Sequence, residues 1–140
     1  MNQHIEKLII ICKKFNAVEL YSFGSRSREI FEYVNGVTDT IQQSSSDIDI
    51  GVRFSRSQQI SAEIIVKMTL DLEDYFRVSR VDLVLLEDAP PFLALDIIRG
   101  ELLYAENLDD QARYELYVMA RAGDLMYFEK KRRENNLSVR

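Results

Sequence analysis

The chain has 140 residues, 46% of them hydrophobic and 29% charged, with a net charge of −5. Its length predicts one domain over residues 1–140 with a real core. The acidic balance argues against general nucleic-acid binding, which needs a basic surface to displace counterions from phosphates. A single cysteine, Cys12, excludes an internal disulfide framework and a cysteine-based zinc site, so a reducing cytoplasm is the expected location. No apolar run reaches membrane-span length, and the N-terminus does not read as a signal peptide.

From His4 to Phe15 the spacing of Ile5, Leu8, Ile9, Ile11 and Cys12 predicts a helix, and a short strand follows at about Val18 to Phe23. Gly24-Ser25 ends that strand, and Ser25 is expected to cap a brief helix over Arg28 to Val34. Residues 35–46, rich in Asn, Gly, Thr, Gln and Ser, read as an exposed loop. A strand from about Asp47 to Arg53 comes next. A longer helix, capped by Ser55 or Ser57, then carries an apolar stripe through Ile60, Ile64, Met68, Leu72 and Tyr75 or Phe76. Val81 to Leu86, apolar except for Asp82, reads as a strand buried on both faces. Pro90-Pro91 open a short helix through Ile98, Gly100 stops it, and Glu101 to Tyr104 adds an edge strand. A long last helix starts at about Leu108 and fades between Lys131 and Arg133.

Three acids interrupt the apolar strands. Side chains alternate along a strand, so Asp47 and Asp49 share one face while Ile48 and Ile50 point into the core. Two carboxylates held that close repel unless a cation lies between them, and a divalent metal is the usual cation. Taken singly, Asp47 would be a strand-start carboxylate and Asp82 a partner for Arg80 or Arg53. His4 reads as exposed, and Cys12 as a core residue with nothing nearby to lower its pKa.

The order is more specific than any one residue. A strand ending in Gly24-Ser25-Arg26-Ser27-Arg28, then Ser46-Asp47-Ile48-Asp49-Ile50, then Val81-Asp82-Leu83-Val84, resembles the minimal nucleotidyltransferases of the DNA polymerase beta superfamily, the antitoxin branch of the HEPN/MNT type. The resemblance implies an α/β, or α+β, nucleotidyltransferase fold: a small mixed β-sheet flanked by helices, with a long C-terminal helix. It implies that Asp47, Asp49 and Asp82 hold magnesium, in two ions, and carry catalysis with ATP as co-substrate. Gly24 would admit the triphosphate to the backbone, and Ser25, Arg26 and Arg28 would hold phosphate oxygens.

The sequence departs from the family pattern in two places. Between Ser25 and Asp47 lie 21 residues, where the pattern has about ten. Glu29 also replaces the small residue usual after the second arginine.

The chain has no room for a second domain to grip an acceptor, so the acceptor must bring its own surface. By the resemblance this is a cognate HEPN protein, an RNase toxin modified on tyrosine by AMP transfer. Two alternatives stay open: a nucleotidyltransferase acting on a small molecule with a helical partner subunit, and an antitoxin that neutralises by binding alone. On the last helix Tyr114, Val118, Arg121, Leu125 and Phe128 form an inner stripe. Tyr117, Met119, Met126 and Tyr127 widen it, which predicts core packing inside and contact with another chain outside.

Overall fold

The computed structural model describes residues 2–43, 46–56 and 59–138. Asn2 caps the first helix, its side-chain oxygen accepting from the Ile5 N–H at 3.0 Å. This helix, α1 (Gln3–Phe15), buries Leu8, Cys12 and Phe15, one stripe at helical spacing, and stops where Asn16 turns left-handed at φ 59°. The chain continues as β1 (Ala17–Phe23), α2 (Ser27–Val34), β2 (Ile48–Phe54), α3 (Ala62–Phe76), β3 (Val81–Leu85), a single 3-10 turn (Leu86–Asp88), α4 (Pro91–Ile98), β4 (Glu101–Ala105) and α5 (Leu108–Ser138).

The four strands form one mixed sheet in the order β3-β2-β1-β4. β1 lies antiparallel to β2 and β4, while β2 and β3 run parallel, as their connection through α3 requires. Neighbours on a strand serve opposite layers. Leu20, Ile48, Ile50 and Val52 pack with Leu8, Cys12, Leu72 and Phe76 from α1 and α3. Tyr21 turns to the other face and meets Ala94, Ile97 and Ile98 of α4 and Val118 of α5. Each fully buried side chain of this kind contributes roughly 1.5–3 kcal/mol relative to exposure. Gly51, on the second face, leaves room for α4: a Cβ there would collide with Ile97 Cγ2.

Several expectations need correction. Ser61, not Ser55, caps α3, accepting from the Ile64 N–H at 3.2 Å; Ser57 lies outside the described residues. β3 is an edge strand with Asp82 exposed and Leu83 to Leu85 half-buried, because it takes the end position of the sheet. An apolar run carries no mark of which place in the sheet it will fill. The segment between α2 and β2 is not wholly exposed, since Ile41 inserts into the core. His4 is not free in solvent either: its ring packs on Tyr33, with centroids 4.2 Å apart. α5 runs beyond the expected end, to Ser138.

Candidate active site

The end of β1 lies beside the start of its antiparallel neighbour β2, and this places the candidate residues. Asp49 stands opposite Phe23 of β1 on one side and opposite Asp82 of β3 on the other. It shares a sheet face with Gly51, the face that α4 covers. Asp47 lies two residues earlier, just before β2 begins. The carboxyl of Asp49 is held above the usual value, first by partial burial and then by the negative charges of Asp82 and Asp47. Asp82 of β3 and Asp47 at the approach to β2 thus both act electrostatically on Asp49.

Gly24 closes the site from the β1 side. Its φ of +78° favours glycine, and a Cβ there would collide with Asp49 Oδ2. Ser25 follows in an exposed turn and does not cap α2. The cap position is Arg26, without a side-chain cap bond, because the turn carries the chain one residue further before the helix starts. Ser22 fastens this turn to the sheet, its hydroxyl donating to the Ser27 carbonyl at 2.9 Å.

The two arginines differ. Arg26 is largely buried, its side chain 10% exposed. Its Nε donates to Glu29 Oε1 at 3.0 Å, Nη1 donates to the Ser46 carbonyl at 3.0 Å, and Nη2 donates to the Gln42 carbonyl. Glu29 completes the clasp, accepting the Gln42 N–H at 2.9 Å. The extra loop is therefore tied down beside the residue that precedes Asp47. Arg28 is exposed and pairs with Glu32 and Glu101, each at 3.5 Å.

Arg80 joins the site unforeseen, its Nε 3.4 Å from Asp47 Oδ2. The sequence offers it only as a partner of Asp82. Arg53 pairs with Glu19 of β1, the residue opposite it across the strands, rather than with Asp82. Glu19 is 1% exposed. A charge inside the apolar run Ala17–Phe23, in phase with Tyr21 and Phe23, was the signal that marks it. This pair floors a cleft of about 550 Å³ walled by Arg56, Asp110, Arg113, Tyr114 and Tyr117. The cleft lies at the opposite end of β2 from Asp49, about 13 Å along the strand.

Among the described residues no three His, Cys, Asp or Glu side chains form a ready-made ion cage. The donor set still fits a hard divalent cation. Carboxylate oxygens are its preferred ligands, and the repulsion at Asp49 is what a bound cation would relieve.

The sequence of residues 6–109 matches the family model described as polymerase beta, nucleotidyltransferase. The chain belongs to this nucleotidyltransferase family. Its fold is shared with solved structures of low identity. A chain of the toxin–antitoxin complex MntA-HepT is 17% identical with a TM-score of 0.64, and the match covers 96% of this chain and 97% of that one. A toxin–antitoxin structure with AMP-PNP is 20% identical with a TM-score of 0.64, covering 95% and 98%. A structure of tri-AMPylated Shewanella oneidensis HEPN toxin in complex with MNT antitoxin is 18% identical with a TM-score of 0.64, covering 96% of each chain. No curated protein matches in sequence. Among the described residues of this nucleotidyltransferase no helix is long and apolar enough to cross a membrane.

Proposed function

We propose that the chain, acting as a single minimal nucleotidyltransferase domain, is an antitoxin that transfers AMP from ATP to a tyrosine of a cognate HEPN toxin. The observation that carries this reading is the placement of Asp49 in register with Asp82, beside Asp47 and against Gly24. The fold shared with toxin–antitoxin structures, one with AMP-PNP and one with an AMPylated HEPN toxin, supports the choice of nucleotide and acceptor.

The chemistry asked of the chain is positioning and charge neutralisation. Asp47 and Asp49 would hold magnesium, with Asp82 completing the nucleophile side. When bound, the ions supply the positive charge that offsets the phosphates. Gly24, lacking a side chain, lets the triphosphate approach the backbone, and the exposed Ser25 hydroxyl donates to a phosphate oxygen. Of the two arginines Arg28 is the freer to reach phosphate, since Arg26 already holds the loop. The tyrosine oxygen bonds the α-phosphorus as the bond to the β-phosphate oxygen breaks, pyrophosphate leaves with the electron pair, and Asp82 takes the hydroxyl proton. An anionic adduct on the toxin would block RNA by bulk and repulsion.

Replacing Asp47 and Asp49 with Asn separates this from neutralisation by binding alone. The expected result is loss of pyrophosphate release and of neutralisation, with partner affinity kept. Neutralisation that survives at unchanged affinity would reject the catalytic reading.

A further inference from the structure

We propose that Arg80 is a counter-ion which Asp47 exchanges for the metal, and that its release couples metal binding to nucleotide binding. The inference rests on the nucleotidyl-transfer reading of Asp47, Asp49 and Asp82, and adds to it a part for Arg80. Val81 stands opposite Ile48 in the parallel pair of β3 and β2, so the residues just before them, Arg80 and Asp47, also come together. The Arg80 Nε lies 3.4 Å from Asp47 Oδ2, and among the described residues no other cation pairs with any of the three acids. Asp49 and Asp82 face each other in register without such a partner. Arg80 thus covers, with a single charge, a carboxylate that a divalent cation would take.

The pair is easily parted. The Arg80 side chain is 72% exposed and that of Asp47 37%, and an ion pair so open to water is weak, because solvent screens it and both side chains lose freedom. A cation arriving alone must still displace the guanidinium and leave it without an anion. One arriving with a triphosphate supplies that anion, since the planar fork of Arg80 matches two phosphate oxygens. Arg26 is not available for this, as its donors hold Glu29 and the carbonyls of Ser46 and Gln42. Arg28, paired with Glu101 of β4, stands at the other side of the sheet from β3. Arg80 therefore makes the metal and the nucleotide bind more tightly together than either does alone.

Manganese binding to the full chain, followed by electron paramagnetic resonance with and without a non-hydrolysable ATP analogue, tests this. Arg80→Gln should bind manganese alone about two- to fivefold more tightly than the parent, the range expected from losing an exposed ion pair. The gain in manganese affinity that the analogue brings should shrink by at least the same factor. Arg80→Lys should stay near the parent for manganese alone, because an ammonium still neutralises Asp47. Arg77→Gln removes a nearby exposed charge that does not pair with Asp47, and should change neither quantity. Unchanged or weaker manganese binding in Arg80→Gln, an undiminished gain from the analogue, or an equal shift in Arg77→Gln would overturn the proposal while leaving the nucleotidyl-transfer reading in place. A parent chain that binds neither manganese nor the analogue would overturn both.

Discussion

Arg26 and Glu29 form an ion pair one helical turn apart, 3.0 Å from Nε to Oε1, and together grip both the N–H and the carbonyl of Gln42. The pair closes the long segment between α2 and β2 onto the start of the strand that carries Asp49. Arg26 thereby acts as a positioning residue through Ser46, the neighbour of Asp47.

Arg26→Ala should cost about 1–3 kcal/mol, because it leaves two carbonyls and a carboxylate without their donor. Limited proteolysis should then cut between residues 35 and 46 sooner than in the parent, and nucleotidyl transfer should fall while the melting transition stays cooperative.

Glu29 also gives the clasp a pH dependence. Burial raises its pKa, but the hydrogen bonds from Arg26 and the Gln42 N–H, with the Arg26 charge, outweigh burial and hold it below the ordinary 4.5. A carboxyl lowered on folding contributes stability that is present above its unfolded value and lost as pH falls through the folded one. Melting temperatures of the parent should therefore drop below pH 4.5 more steeply than those of Glu29→Gln.

Asp49 should show the opposite trade. Its charge is partly buried and faces Asp82 and Asp47, so Asp49→Asn should raise the melting temperature of the metal-free chain while abolishing transfer. Thermal unfolding in chelator and a transfer assay together check it; a lower melting temperature would show that Asp49 is needed for the fold.

Gly24→Ala should destabilise by at least about 1 kcal/mol, from its positive φ and its collision with Asp49. Transfer should be lost in the same variant. Chemical denaturation gives the first quantity.

Cys12 should resist thiol reagents in the native chain. It is fully buried, and burial pushes its pKa up to about 12. Labelling should proceed only at the rate of unfolding, and at once in denaturant.

What was legible in the sequence followed from periodicity and motif order. The helical stripes of α1 and α3 and the Gly24-Ser25, Asp47-Ile48-Asp49 and Asp82 series fixed which elements carry the candidate site. Long-range pairing was not legible. Nothing local tells that β3 is an edge strand, that Arg53 meets Glu19 from β1, or that Arg80 reaches Asp47, because each depends on sheet order. Arg26 illustrates the same limit. A motif position suggested a phosphate ligand, while its surroundings, set by an inserted loop outside the family pattern, give it the Gln42 and Ser46 carbonyls to hold.

Nucleotidyl transfer to a partner tyrosine is the step that defines the proposed function. Intact-mass and peptide-mapping spectrometry of the cognate HEPN protein, after incubation with this chain, ATP and magnesium, tests it most directly. A gain of one or more AMP units on tyrosine is expected, absent with Asp49→Asn. A partner that is neutralised yet unchanged in mass would contradict it.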